Sequence, residues 1–158
     1  VLVERVEELA SPKDWRRAYQ EINEFERMLT DHGTRVVKVF LHITPDEQLI
    51  RFRNRILDPM KRWKLSFEDF RNWQKWKAYE EAADNMFGET STPYSPWHAI
   101  PANSKKYARV TTLRVIAERL LSGVDLSPAE LSDDVIRQAQ QHLDIDPAHL
   151  SGRKRLID

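Results

Sequence analysis

Val36-Val-Lys-Val-Phe-Leu-His-Ile43, followed directly by Thr44-Pro-Asp-Glu47, is the stretch that decides the fold. Its first part is a nearly continuous β-branched and aromatic run, which is typical of a strand covered on both faces and favours a parallel sheet. Its second part places a capping hydroxyl at Thr44, a proline at the first helical position and Glu47 three residues after the cap. This order predicts that a helix begins where the strand ends. Strand followed at once by helix indicates an α/β fold.

Hydrophobic spacing predicts the remaining elements of that fold. A helix over Pro12–His32 is predicted by an apolar face of Trp15, Ala18, Ile22, Phe25 and Leu29, with Gly33 as its C-terminal cap. A second helix, Ser66 to Phe87, is predicted by an apolar stripe of Phe67, Phe70, Trp73, Trp76 and Ala83. A third, Ser104–Leu121, is predicted by an apolar stripe of Tyr107, Val110, Leu113, Ala117 and Leu120. A last short strand is predicted at Trp97–Ala102, and a more polar helix at Leu126–Leu143.

The helix that begins after Thr44 carries an unusual concentration of positive charge. Arg51 to Lys64 contains six cationic side chains and one acid, Asp58, in a chain whose formal net charge is +0. Clustered cations of this kind suggest a polyanionic partner, and phosphate is the commonest one. The helix is expected to stop at Asp58 because the residue before a proline disfavours helical torsions. A capping Ser66 with Asp69 then restarts it, so the two helices and their basic connector predict a flap.

Each candidate residue has a structural interpretation beside the functional one. Arg51 and Arg55 share a helix face and are suited to phosphate, but they are also suited to ion pairs with Glu47 or Asp58. Arg53 and Arg62 are interpreted as solvated, and Trp73 and Trp76 as core, whereas base stacking by Trp63 stays open. For Lys105 and Arg109, anion binding at a helix N-terminus and an ordinary surface helix are equally supported.

Four ordered motifs together carry a family resemblance. They are Glu47-Gln-Leu-Ile-Arg51, Asp58-Pro-Met-Lys-Arg-Trp-Lys-Leu-Ser66, Thr90-Ser-Thr-Pro-Tyr-Ser-Pro-Trp97 and Asn103-Ser-Lys-Lys-Tyr-Ala-Arg109. The chain, from Val1 to about Leu121, resembles the C-terminal half of a family-2 polyphosphate kinase. The resemblance implies a partial P-loop-kinase-like three-layer α/β/α fold with a helical lid. It also implies in-line phosphoryl transfer between polyphosphate and a nucleoside mono- or diphosphate.

The resemblance further implies roles for particular residues. Those implied for catalysis on the lid are Arg51, Arg55, Lys61 and Lys64. Those implied for substrate or nucleotide binding are Lys105, Arg109, Thr90, Thr92, Glu4 and Arg5. Mg²⁺ is implied for the intact enzyme, mainly on ligands outside this chain, since no His or carboxylate pair here has the spacing of a metal site. A cytoplasmic homo-oligomer without nucleic acid or membrane partners is also implied.

Other features of the chain bound these expectations. It has four glycines and no Gly-Lys-Ser/Thr sequence, so the Walker A loop and the Asp-Arg-Ser element of such enzymes are not found in it. It also begins inside an apolar-periodic run without Met. We therefore expect a fragment that is inactive alone. There is no long apolar run, and zero cysteines exclude disulfides and thiolate metal sites.

The expected domain division is a phosphotransferase part over residues 1–122, with its lid at about 45–87, and a helical extension with a basic tail over 123–158. Two other functions stay open from the residues alone. One is a different P-loop nucleotide kinase, such as a relative of thymidylate kinase. The other is a noncatalytic module that binds RNA or another polyanion through the same cations and tryptophans.

Overall fold

The structure is a computed structural model, and it describes residues 1–143. The helices are α1 (Leu2–Val6), α2 (Pro12–Asp31), α3 (Pro45–Leu57), α4 (Phe67–Gln74), α5 (Trp76–Thr90), α6 (Lys105–Leu121) and α7 (Asp133–Leu143). The strands are β1 (Lys38–His42) and β2 (Trp97–Pro101), and a single 3-10 turn spans Arg62–Lys64. The backbone divides after Ser122 into two compact units. The assignment of these units as functional domains stays a prediction.

The two strands form a parallel sheet, as the apolar run of β1 predicted. Lys38 lies opposite Trp97, and His42 lies opposite Pro101. The pairing continues past the strand ends, where the amide of Ala102 donates to the carbonyl of His42 at 2.6 Å. The carboxyl ends of both strands therefore lie at the same edge of the sheet, which is where α/β folds place their ligands.

Because successive side chains of a strand point to opposite faces, each face of the sheet packs against a different helix. On one face, Val39 and Ile43 pack with Ile100 and with Ala108 of α6. On the other, Phe40 meets Phe87 of α5 edge to face, with ring centroids 5.1 Å apart. Ile100 is only 2% exposed, and burying such a side chain contributes about 1.5–3 kcal/mol. The result is an α/β/α arrangement of three layers.

Local start signals were reliable, and two are confirmed in detail. The hydroxyl of Thr44 accepts from the amide of Glu47 at 3.3 Å, at the start of α3. Ser66 and Asp69 form the predicted capping box at the start of α4. Phe52 of α3 and Phe70 of α4 pack edge to face, with ring centroids 5.3 Å apart. The helices α3 and α4 therefore form the two sides of a flap. We call residues 45–74, which contain α3, the connecting turn and α4, the lid segment.

The prediction of one continuous helix from Ser66 to Phe87 was wrong. The helix is interrupted at Lys75, which has φ −94° and ψ 17°, and α5 then continues to Thr90. No proline or glycine marks this break in the sequence. The Lys75 ammonium instead contacts Glu7, close to α1, so a contact distant in sequence accompanies the break.

Several predicted inward faces were also wrong. On α6, Tyr107, Val110, Leu113 and Leu120 are exposed, because β2 packs against the face that carries Ala108. On α2, Tyr19 and Glu26 are buried whereas Phe25 is exposed. The strand is shorter than the predicted run, and Leu41 and His42 are exposed near its carboxyl end. Within residues 1–143, that end of β1 is therefore not covered on both faces.

In the second unit, the predicted helix over Leu126–Leu143 begins later, at Asp133. The amide of Ser127 donates to the Asp125 carboxylate at 2.9 Å, which forms a local turn where the helix was expected to start. That hydrogen bond lowers the pKa of Asp125. The predicted basic tail over 151–158 lies outside the described residues. Across residues 1–143, no helix has the length and apolar character needed to cross a bilayer.

The end of α1 contains a backbone conformation that suggests a first test. Glu8 has φ +56°, and the amides of Leu9 and Ala10 both donate to the carbonyl of Glu4, at 2.8 and 3.1 Å. A left-handed residue after a helix is usually glycine, since a side chain there costs about 1–2 kcal/mol. We expect Glu8→Gly to raise the free energy of unfolding by about 1 kcal/mol, measured by urea denaturation.

The control for this test is Glu24→Gly within α2, where glycine should instead lower the free energy of unfolding by about 1 kcal/mol. If both variants lose stability equally, Glu8 does not store strain at this position.

Candidate active site

A cleft of about 570 Å³ opens at the carboxyl ends of the two strands. It is lined by Leu41, Ile43, Arg51, Ala102, Lys105, Ala108, Arg109, Thr112 and Leu113. Three of these residues are cationic. Arg51 comes from α3, and Lys105 and Arg109 come from the first turns of α6. The fold thus brings together cations that are more than fifty residues apart in the sequence.

Arg51 is held firmly in this cleft. Its Nε donates to Glu47 at 2.8 Å, and its Nη2 donates to the carbonyl oxygens of Ala102 and Asn103 at 2.6 and 3.2 Å. The guanidinium therefore ties the lid segment to the loop between β2 and α6. Any contact of Arg51 with phosphate, which stays a prediction, would be made from this fixed position.

Asn103 reinforces the same junction, a role that was not predicted although the residue begins one of the four motifs. Its side-chain oxygen accepts from the amide of Thr44 at 3.0 Å, and its side-chain nitrogen donates to the Thr44 hydroxyl at 3.3 Å. A polar residue directly after a strand and directly before a capping serine was the available signal. The start of α3 is thereby joined to the end of β2.

Lys105 and Arg109 lie one turn apart at the N-terminal end of α6, on the exposed surface of the cleft. Ser104 caps the helix, and its hydroxyl accepts from the amide of Tyr107 at 3.4 Å. Among residues 1–143, no carboxylate lies within 4.0 Å of either cationic group. The helix N-terminus adds positive potential at the same place, so this is a favourable position for an anion.

The other lid cations are more exposed to solvent than Arg51. Nη1 of Arg55 lies 3.7 Å from Asp69 Oδ1 and 3.5 Å from the carbonyl of Lys64. Lys61 pairs with Asp58, a pair that was not predicted, whereas the Arg51–Glu47 pair is one that the structural interpretation of the arginine face predicted. The Lys64 ammonium lies 5.1 Å from the centre of the Trp63 ring. Exposed pairs of this kind are worth about 0–1 kcal/mol, so a stronger anion can replace them.

Asp58 shapes the connector between the two lid helices. Its carboxylate accepts from Lys61 and from the amide of Met60, the latter at 3.0 Å. These two hydrogen bonds, with that from Lys61 the larger cause, lower the pKa of Asp58. Arg62, which was interpreted as solvated, is exposed, and it also donates its Nε to the carbonyl of Ile56 at 2.8 Å. The connector is therefore an ordered turn, with Trp63 79% exposed on it.

Thr90 and Thr92 are engaged inside the protein. Thr90 is buried, and its hydroxyl donates to the carbonyl of Met86 at 2.6 Å and accepts from the indole of Trp97 at 2.9 Å. The Thr92 hydroxyl accepts from the amide of Ser95 at 3.2 Å, within a turn. Neither threonine lines the cleft. Their predicted contact with nucleotide stays a prediction, while their observed contacts set the path of the chain into β2.

A buried ion pair lies beneath this turn and was also missed. The Lys38 ammonium contacts Glu26 at 2.6 Å and the carbonyl of Thr90 at 2.5 Å, and it lies 5.3 Å from the centre of the Trp97 ring. Both side chains of the pair are almost fully buried. The signal in the sequence was a lysine within the otherwise apolar run of β1.

Glu4 and Arg5 lie apart from the residues that line the cleft. The guanidinium of Arg5 lies 4.6 Å from the centre of the Trp15 ring, and that of Arg16 lies 4.5 Å from it. Within the described part of the chain, the buried Nη1 of Arg5 has no hydrogen-bond partner.

Comparisons with known proteins agree with this arrangement. The family model described as polyphosphate kinase 2 matches residues 1–125. The polyphosphate:AMP phosphotransferase of Pseudomonas syringae pv. tomato is 50% identical over 120 residues, which are 76% of this chain and 24% of that relative. The AMP/ADP-polyphosphate phosphotransferase of Meiothermus ruber is 43% identical over 120 residues, which are 76% of this chain and 45% of that relative.

Two solved structures are similar as well. A crystal structure of a polyphosphate kinase 2 from Pseudomonas aeruginosa has a TM-score of 0.74 and 44% identity, over 76% of this chain and 26% of that one. A crystal structure of the polyphosphate kinase 2 of Arthrobacter aurescens has a TM-score of 0.79 and 37% identity, over 89% of this chain and 50% of that one. The chain thus spans between a quarter and a half of these relatives. With the family model matching residues 1–125 of 158, the chain belongs to the polyphosphate kinase 2 family.

Proposed function

We propose that this chain supplies the lid and part of the nucleotide side of an enzyme that transfers a phosphoryl group between inorganic polyphosphate and a nucleoside mono- or diphosphate. The observation that carries the proposal is the convergence of Arg51, Lys105 and Arg109 on one cleft at the carboxyl ends of the strands. The names of the relatives, which include AMP and ADP as substrates, support the class of acceptor.

The proposed chemistry relies on position and charge. In phosphoryl transfer the protein mainly aligns the reacting groups and neutralises the oxygens of the transferred group. Lys105 and Arg109 are available for this because they are exposed and lack acidic partners among the described residues. Arg51 adds charge and keeps the lid segment attached to the cleft.

The remaining lid cations are proposed to close over the phosphates by exchanging partners. Arg55, Lys61 and Lys64 hold weak or exposed contacts, worth about 0–1 kcal/mol each. A charge-assisted hydrogen bond to a phosphoryl oxygen is worth about 1.5–3 kcal/mol. The exchange therefore favours the phosphate, and it releases Asp69 from Arg55 and Asp58 from Lys61.

Mg²⁺ belongs to the proposal only as a companion of the substrate. Among residues 1–143, no three His, Asp or Glu side chains converge in a way that holds a metal ion. Ligands for Mg²⁺ in the intact enzyme are therefore proposed to lie mainly outside this chain. Mg²⁺ commonly keeps its waters and binds through substrate phosphates together with one or two carboxylates.

A cytoplasmic location and assembly into a homo-oligomer complete the proposal. The location follows from the proposed nucleotide substrates, and the assembly from the family resemblance. The chain alone is proposed to be inactive, because the family's Gly-rich Walker A loop is not found in its sequence.

The test is a chimera in which residues 1–122 replace the matching part of the Pseudomonas aeruginosa polyphosphate:AMP phosphotransferase, which is 46% identical over 120 residues. We expect the chimera to form ADP from AMP and polyphosphate. Lys105→Ala combined with Arg109→Ala should lower kcat/KM about 100-fold, since two charged hydrogen bonds to phosphate are lost.

Lys106→Ala is the matched control, because this neighbouring lysine does not line the cleft. It should leave kcat/KM within about twofold, the small effect usual for an exposed side chain. An active chimera in which both changes have equal effects would remove the cleft from the proposed mechanism.

A further inference from the structure

The lid segment leaves the rest of the chain at an unusual point, the interruption between α4 and α5. Lys75 occupies this interruption, and its amide donates to the carbonyl of Asn72 at 3.1 Å in place of a regular helical bond. Neither Pro nor Gly lies nearby in the sequence. Local sequence therefore does not fix the angle between α4 and α5, and a contact with another part of the chain must do so.

Glu7 provides that contact. Its Oε2 accepts from the Lys75 ammonium at 2.8 Å and lies 3.5 Å from Nη2 of Arg71, while its Oε1 accepts from the Tyr79 hydroxyl at 3.3 Å. The three partners come from α4, from the interruption and from α5. One carboxylate thus contacts both helices and the residue between them.

The charge state of the group suits this role. The side chain of Glu7 is only 12% exposed, so its contacts are partly shielded from water. The hydrogen bond from Lys75 lowers the pKa of Glu7, and burial raises the pKa of Tyr79. At neutral pH the carboxylate is therefore ionised and the phenol keeps the proton that it donates.

The position of Glu7 in the chain adds a functional consequence. It caps the end of α1, the helix that carries Glu4 and Arg5, and the left-handed residue Glu8 directly follows it. The opposite end of the lid segment is already attached, through Arg51 and Thr44, to the loop after β2. Glu7 therefore joins the second end of the lid segment to the end of α1.

We propose that Glu7 is a positioning residue that sets the angle of the lid through Arg71, Lys75 and Tyr79. This goes beyond the proposed phosphotransfer and does not depend on catalysis for its test. Loss of the carboxylate charge should let α4 move relative to α5 without unfolding either helix. The lid would then sample positions away from the cleft.

The absence of cysteine from the chain allows a direct measurement of lid position. Spin labels at Met60→Cys, on the exposed tip of the lid, and at Arg27→Cys, on α2, report the distance between lid and body. We expect a narrow distribution of distances for the labelled full chain. Glu7→Gln should broaden it and move its mean, and amides next to Lys75 should exchange with solvent about tenfold faster.

Glu24→Gln is the charge-matched control, because among residues 1–143 the Glu24 side chain contacts only Gln20, on its own exposed helix face. It should leave both the distances and the exchange unchanged. If Glu7→Gln does not fold, Tyr79→Phe decides the matter, since it removes one hydrogen bond and should shift the distribution in the same direction. Unchanged distances in a folded Glu7 or Tyr79 variant would overturn the proposal, even if the chimera is an active enzyme.

Discussion

Arg55→Ala in the chimera is expected to lower kcat for phosphoryl transfer about 100-fold, the scale for one lost donor to a transition-state oxygen. Arg55 shares a helix face with Arg51, but its contacts with Asp69 and Lys64 are 3.7 and 3.5 Å long. It is therefore free to exchange those contacts for a phosphate. The measurement is steady-state ADP formation at saturating polyphosphate and AMP.

Arg53→Ala is the control for this change, since Arg53 is exposed and lies on a different face of α3. It should keep kcat within about twofold. If Arg55→Ala raises only KM for polyphosphate, Arg55 binds the chain without acting in the transition state. If neither parameter changes, the phosphate interpretation of the α3 arginine face loses its main support.

Lys38→Met is expected to lower the free energy of unfolding of this chain by about 3–5 kcal/mol, the cost of leaving one charge of a buried pair without its partner. Glu26 would stay buried, and the carbonyl of Thr90 would lose its hydrogen bond. The free energy of unfolding of a domain is commonly only about 5–15 kcal/mol, so the variant would lose a large part of its stability. Urea denaturation followed by circular dichroism measures the change.

The paired change Lys38→Met with Glu26→Leu provides the check. Because it removes both charges, it should recover most of the lost free energy of unfolding, as apolar replacements of buried pairs often do. If the single and paired variants are equally destabilised, packing around the Trp97 ring, and not the charge of Lys38, is what the site requires. A single variant as stable as the parent would mean that Glu26 reaches water in solution.

The parts of the fold that could be predicted from sequence are those encoded locally. The hydroxyl, proline and glutamate around Thr44 specify a helix start within four residues, and the structure has it. The apolar run before it specified a strand in a parallel sheet, and β1 pairs in that way with β2. Such signals depend on near neighbours, which the sequence displays directly.

The parts that could not be predicted depend on distant partners. The break at Lys75 accompanies a contact with Glu7, 68 residues away, and no local breaker marks it. The exposed stripe of α6 has helical spacing, but which face meets β2 is decided by tertiary packing around Ala108. In the site, Lys105 and Arg109 were predictable as a pair, whereas their meeting with Arg51 required the register of the two strands.

The exposed ion pairs of the lid cations have a consequence for selectivity. Lys61 contacts Asp58 and Arg55 lies 3.7 Å from Asp69, so each of these two cations is already partly neutralised. A single orthophosphate that displaces one acid gains only the free energy of that one exchange. A chain of linked phosphates displaces several acids in one binding event, and each later exchange is intramolecular. If the proposed function holds, the lid would therefore bind a chain of linked phosphates more tightly than orthophosphate.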